Sequence, residues 1–497
     1  MAIVATRSGK VEGIERDGVH VFKGIPYAAP PIGVRRWKAP RHEDTWDGVR
    51  DATHFSPQSA QSEFMLTKML GGKRPAYWED SLYLNVWTPA CDDAARPVML
   101  WIHGGAFIWG AGDTPWYDGT KFAKHGDVVL VTINYRLGPF GFLYLPEQFG
   151  DAFSESGNLG LLDQIAALGW VRDCISAFGG DPEQVTIFGE SAGAASVSTL
   201  LGTPAARGLV TRAIAQSGAA SWIATPERAT AIATGVINQL GVRAGDTEAL
   251  LAQNTEAVID ALPAWHEGEG TGLPFQPVHD GVVLPRPPLD AIRAGSAAGV
   301  GLISGTNKDE IKLFQFADES LATLTDEELL TRVRAYCDDR AEMLIADYKS
   351  RRPGAPPRDI WTALATDAVF FYPSSQLLDA QSAHGDTWAY YFTWETPLLG
   401  GIFGSPHAIE IPFVFDNLDR GGANLFTGDG PERAGLATAM HLAWIAFARG
   451  GNPNHEGLPE WVQYVPPERA TMRFDGEREL VRNRGEADRQ ALERAAG

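Results

Sequence analysis

Cysteine is the scarcest feature of this 497-residue sequence, which has only Cys91, Cys174 and Cys337. An odd, sparse set without close spacing argues against a disulfide framework and against a cysteine-based zinc site. Asn-X-Ser/Thr sequons are absent. No apolar run approaches the roughly 20 residues that a helix needs to cross a bilayer. The amino terminus, Met1 to Lys10, lacks a basic stretch followed by a long apolar one, and reads as a strand and turn rather than a signal peptide. Basic charge is also in short supply, with 42 Lys and Arg against 62 Asp and Glu, a formal net charge of -20. So negative a surface keeps the chain in solution but repels phosphate backbones and anionic headgroups, so neither nucleic acid nor membrane is expected as a partner. Together these absences predict a reducing, cytoplasmic setting.

What is present is an ordinary globular composition, 44% apolar, with 54 glycines and 32 prolines spread along the chain as turn formers. Residues 97–102 (PVMLWI), 128–133 (VVLVTI), 185–188 (VTIF), 301–304 (GLIS) and 388–393 (WAYYFT) are short apolar runs of strand length. That pattern suits strands covered on both faces, as in a mostly parallel sheet. Helical spacing is read over Leu159–Phe178, which stops at Gly179-Gly180, and over Ala192–Leu201, which stops at Gly202-Thr203-Pro204. The alternation predicts an α/β architecture, read as one domain over residues 1–497. Two irregular segments, about 54–80 and 263–275, interrupt it and are expected to serve as lid or pocket walls.

The most informative stretch is Gly189-Glu190-Ser191-Ala192-Gly193, a G-x-S-x-G directly after one predicted strand and directly before a helix. The turn is so tight that the serine takes a strained backbone conformation and no side chain fits two residues to either side. It lifts the hydroxyl to the carboxyl edge of the sheet and aims a helix N-terminus at any developing negative charge. Ser191 is therefore the expected nucleophile.

At this point the chain resembles the type-B carboxylesterases, which include cholinesterases, mammalian carboxylesterases and bacterial p-nitrobenzyl esterases. The resemblance rests on Phe22-Lys23-Gly24-Ile25-Pro26-Tyr27-Ala28, Glu79-Asp80-Ser81-Leu82-Tyr83-Leu84-Asn85-Val86, Trp101-Ile102-His103-Gly104-Gly105-Ala106-Phe107, Asn134-Tyr135-Arg136-Leu137-Gly138 and the serine elbow. It implies an α/β-hydrolase fold and hydrolysis of small-molecule carboxylic esters through an acyl-enzyme, with no metal or organic cofactor. A non-catalytic, neuroligin-like role on the same fold is the rival from another class. Aryl carbamates or amides are the rival substrates for the same chemistry.

Acyl transfer puts charge on a carbonyl oxygen, on which backbone N–H groups must converge, and small residues leave room for that approach. By the resemblance, the donors are Gly105, Ala106 and Ala192, with Gly104 bending the loop. His103 precedes the serine within that loop and is read as structural. Four histidines follow the predicted strand at Gly301: His384, His407, His441 and His455. His384 falls at the amino-terminal edge of the sheet, His441 inside a helical run and His455 in a distant Asn-Pro-Asn loop. His407 follows the WAYYFT run through a glycine-bearing loop, and its surroundings, His407-Ala408-Ile409-Glu410-Ile411-Pro412-Phe413, resemble the family's histidine segment. It is the expected base. The acid lies in Gly305-Thr306-Asn307-Lys308-Asp309-Glu310; either carboxylate could orient an imidazole, and the resemblance selects Glu310. Glu190 and Ser217 resemble supporting positions.

The chain also departs from the family. Ser81 stands where eukaryotic members carry a disulfide cysteine, in keeping with a bacterial enzyme. Gly71 lies near the expected choline-site tryptophan, and Thr271–Phe275 lacks the paired phenylalanines of an acetylcholinesterase acyl pocket. Met65, Leu66, Met69, Phe107, Trp109, Leu273, Leu313 and Phe314 are the candidate apolar walls of the pocket.

Overall fold

The structure, a computed structural model, describes residues 2–62, 76–261, 273–316 and 318–496. Met65, Leu66, Met69, Gly71, Thr271 and Gly272 lie outside them. A 13-stranded sheet organises the chain. It opens with antiparallel strands, Ala2–Ala5, Lys10–Arg16, Val19–Pro26 and Tyr83–Thr88. Val129–Ile133 pairs antiparallel with Tyr83–Thr88 and parallel with Arg96–Ile102. From there the pairing stays parallel through Gly180–Glu190, Arg212–Gln216, Gly301–Asn307, Thr387–Phe392 and Thr471–Phe474, before Glu479–Val481 closes the far edge antiparallel.

Burial explains why the central runs are apolar throughout. Every residue of Val129–Ile133 is buried, because helices cover both faces. One layer carries Leu159–Cys174, Ala192–Gly202 and Tyr372–Gln381; the other carries Thr120–Gly126 and Pro431–Gly450. Ala192–Gly202 is rich in small residues and buried at every position, which lets it sit directly under the sheet. A satellite core joins Asp326–Cys337, Ala341–Arg351, Pro357–Thr366 and Glu486–Ala496.

Strand order sets the position of the site. The chain leaves Arg96–Ile102 toward Val129–Ile133 on one side, whereas Gly180–Glu190 pairs on the other. The loops after Ile102 and Glu190 therefore diverge at a topological switch point, where an open parallel sheet leaves a crevice at its carboxyl edge. Of the two irregular segments, the described ends supply a short parallel pair, Gln58–Ser59 with Tyr77–Trp78, and the buried residues Leu273 and Phe275.

Candidate active site

Ser191 has φ 57 and ψ -124, a region that costs a non-glycine residue roughly 1–3 kcal/mol. The surroundings over-determine it: the Ser191 N–H donates to the Gln216 carbonyl at 2.8 Å, and the Ser191 carbonyl accepts from Ala195 N–H at 2.9 Å. A Cβ on Gly193 would lie 2.0 Å from the Ile102 carbonyl oxygen, so only glycine allows the elbow helix to approach the neighbouring strand. Ser191 itself is 8% exposed, at the floor of the crevice.

The loop after Ile102 crosses this floor. A Cβ on Gly104 would meet the Glu190 carboxylate at 2.7 Å and Ser191 Cβ at 3.0 Å, which places the loop directly against Ser191. Gly105, Ala106 and Phe107 follow with φ 111, 53 and 61. Among the described residues the N–H groups of Gly105, Ala106 and Ala192 have no acceptor. His103 braces the loop from below: it is fully buried, stacks on Tyr135 at 4.4 Å and is pushed down to about 4 by burial, so it is neutral. The Tyr135 hydroxyl donates to the His103 carbonyl at 2.8 Å. Arg136 forms a buried two-point ion pair with Asp163, at 2.8 and 2.7 Å. The Asn-Tyr-Arg stretch thus holds the loop in place; removing either charge of that pair would leave the other buried alone, at a cost of about 3–5 kcal/mol.

His407 arrives from the far side, on the loop after Thr387–Phe392. Its Nδ1 lies 2.7 Å from Glu310 Oε2, and Glu310 Oε1 accepts the Asn307 N–H at 2.7 Å. Its Nε2 lies 2.9 Å from Glu190 Oε1, near enough for an ion pair but misaligned for a hydrogen bond, so among the described residues neither atom has a hydrogen-bond partner and Nε2 is not bonded to the Ser191 hydroxyl. Burial disfavours the imidazolium, but Glu190 and then Glu310 outweigh it and hold His407 well above the ordinary histidine range. Burial likewise raises Glu190, against the pull of His407. Asp309 turns away, paired with Lys312 at 2.8 Å and accepting Ser405 N–H at 3.0 Å. The other histidines are engaged elsewhere, each through a carbonyl: His384 with Arg293 at 2.9 Å, His441 with Val414 at 2.8 Å and His455 with Ala439 at 2.9 Å.

The candidate pocket walls separate into two groups. Phe314, 40% exposed, sets its ring 5.0 Å from the His407 imidazole, and Leu313 beside it is half-buried. Trp109 is half-buried, with its indole N–H on Ser62 Oγ at 3.0 Å, and Leu273 is buried with its carbonyl accepting from Arg228 at 3.1 Å. Phe107 requires a correction. It is fully buried with its ring 5.0 Å from Phe142, so it is a core residue rather than a wall of the crevice. Its left-handed backbone directs it inward while its carbonyl accepts Gly138 N–H at 2.7 Å.

Sequence reasoning missed several groups. Phe370, in the π-helical turn Asp367–Phe371, lies 4.9 Å from the His407 ring, and Trp222 lies 5.6 Å from Phe370. Ser217, by contrast, was expected as a supporting position; it has φ 55, and among the described residues its buried hydroxyl has no hydrogen-bond partner. Glu410 and Gln216 are both fully buried beside the segments that carry Ser191, Glu310 and His407. The π turn had no local signal, whereas Glu410, an acid flanked by Ile409 and Ile411, carried a visible one.

Comparison with known proteins gives the same picture along the whole chain. The carboxylesterase family model matches residues 1–492. The para-nitrobenzyl esterase of Bacillus subtilis is 40% identical over 99% of this chain and 98% of its own length. The phenmedipham hydrolase of Pseudarthrobacter oxydans is 36% identical, covering 95% and 94%. The crystal structure of a Geobacillus stearothermophilus carboxylesterase superposes with a TM-score of 0.90 at 45% identity, over 98% of this chain and 99% of that one. With the crevice, its strained serine and a match of this extent, the chain belongs to the carboxylesterase family and is a carboxylic ester hydrolase on an α/β-hydrolase fold.

Proposed function

We propose that Ser191, His407 and Glu310 form the triad of this esterase. Neutral His407 takes the Ser191 proton as the hydroxyl attacks the ester carbonyl, and the N–H groups of Gly105, Ala106 and Ala192 receive the oxyanion. His407 then protonates the leaving alcohol, and water cleaves the acyl-enzyme by the same route while Glu310 steadies the imidazolium. Gly104, by its lack of a side chain, keeps the donor loop against the nucleophile. Glu190 and Ser217 act in support, Glu190 by holding the resting imidazolium. What carries this reading is the 2.7 Å contact from His407 Nδ1 to Glu310 Oε2 beside the strained serine.

Leu313, Phe314, Trp109 and Leu273 are the proposed substrate walls, within one domain spanning residues 1–497. The free thiols Cys91, Cys174 and Cys337 fit a bacterial enzyme working in a reducing cytoplasm. Esters, aryl carbamates and anilides of matched acyl groups, assayed side by side, test the bond preference: ester turnover should dominate, and a carbamate or anilide turned over faster would reverse it. In the same assay a phosphonate should block one site per chain, at Ser191.

A further inference from the structure

We propose that Glu410 is a positioning residue for the triad: bridging Gln216 and Asn307 from the histidine segment, it fixes Glu310 against His407. The proposal rests on the triad reading above. Glu410 is fully buried, three residues after His407. Its Oε1 accepts the Gln216 side-chain amide at 3.0 Å and its Oε2 the Asn307 side-chain amide at 2.6 Å.

Each donor belongs to a different arm of the triad. Gln216 ends the strand beside the elbow, and its carbonyl accepts the Ser191 N–H at 2.8 Å. Asn307 ends the strand that leads to the acid, and its backbone N–H is the 2.7 Å donor to Glu310 Oε1. The same Asn307 side chain donates to the Pro406 carbonyl at 2.9 Å, immediately before His407. One carboxylate therefore touches residues joined to the nucleophile, the acid and the base.

Neighbours fix the orientation of both amides. The Trp444 indole N–H donates to Gln216 Oε1 at 3.0 Å, which leaves the NH2 group of Gln216 for Glu410. The Pro406 carbonyl demands the NH2 group of Asn307. Position 410 thus faces two donors and needs two acceptors. A glutamine of equal size would set one NH2 against another, and an aspartate would fall a methylene short. If the space only needed filling, an apolar side chain would do so without burying a third acid beside Glu190 and Glu310. Burial and then those two charges push Glu410 up to about 8, and the two amide bonds oppose the shift. The buried tyrosines Tyr117 and Tyr390 also feel the Glu410 charge.

The test compares Glu410→Gln with Gln216→Met, which keeps the length of the side chain but donates nothing. Both should lower kcat by about ten- to a hundredfold, as a misplacement near 1 Å does, with KM within about twofold. Both should also move the acid limb of the kcat/KM profile to lower pH, because a loosened Glu310 no longer supports the imidazolium. Melting curves establish that each variant is folded. Should Glu410→Gln fail to fold, Gln216→Met decides alone. Wild-type kcat and an unmoved limb in Gln216→Met overturn the clamp, as does the same result in a folded Glu410→Gln. His407→Ala is the control: if it stays active the triad reading falls, whereas an inactive His407→Ala beside wild-type-like clamp variants overturns only the role of Glu410.

Discussion

Asp309 and Glu310 adjoin in sequence and part in space: Glu310 Oε2 meets His407 Nδ1 at 2.7 Å, while Asp309 pairs with Lys312 at 2.8 Å on the other side of the loop. Glu310→Gln should therefore lower kcat by about 10²–10⁴-fold with a smaller effect on KM, because the amide favours the wrong tautomer and cannot steady the imidazolium. Asp309→Asn should be much milder, since it loses one surface ion pair and weakens a loop contact. Steady-state kinetics on one p-nitrophenyl ester, with melting curves as folding controls, separates the two. A healthy Glu310→Gln beside an inactive Asp309→Asn would move the third role to Asp309.

Ser191→Ala should abolish turnover and leave the melting temperature close to that of the parent. In the proposed mechanism the hydroxyl is the only atom that becomes acylated, and it makes no hydrogen bond to His407 whose loss could unfold the site. Alanine still adopts the elbow backbone at a similar strain. Peptide mapping after phosphonate treatment should find the label at Ser191 in the parent and none in the variant. Label at another serine, with the variant still active, would discard the nucleophile.

Among the four carboxy-terminal histidines, only His407→Ala should match the nucleophile variant in loss of rate. His384 and His455 hold carbonyls away from the crevice. His441 is 1% exposed and bonded to the Val414 carbonyl, so His441→Ala should lower the melting temperature rather than abolish chemistry. A soluble, folded His441→Ala with no activity would contradict this division.

Much of this arrangement was legible because local and global demands agree. The strand-turn-helix around Ser191 is written in its glycines, and burial on both faces makes the flanking strands continuous apolar runs. His103 was read as structural because it sits in the expected backbone-donor loop, and it is buried with its ring stacked on Tyr135. Phe107 was misread because an aromatic residue beside a donor loop gives no sign of which way a left-handed turn will send it. Glu410 went unassigned because its partners, Gln216 and Asn307, come from strands 194 and 103 residues away. Spacing in sequence does not record such contacts, and a buried acid becomes informative only when its donors are known.

The last prediction concerns pH. As the proposed general base, His407 must be neutral to accept the serine proton. Burial lowers its affinity for a proton, but Glu190, at 2.9 Å, and then Glu310, at 2.7 Å, more than reverse this and hold the imidazolium well above the ordinary histidine value. The fraction of enzyme able to start the reaction should therefore be small in mildly acidic solution and rise with pH through a limb above that value. Glu190→Gln removes the first of the two supporting charges, so the limb should move to lower pH and relative activity in mildly acidic buffer should increase. Glu310→Gln would also move the limb down but at a large cost in kcat, because it removes the group that steadies the imidazolium during the reaction. The two variants are thus distinguished by the plateau rather than by the direction of the shift. Profiles of kcat/KM from about pH 5 to 10 at constant ionic strength would measure both. A parent limb at or below the ordinary histidine value, or a Glu190→Gln limb that stays where it was, would show that Glu190 does not hold the imidazolium in the resting enzyme.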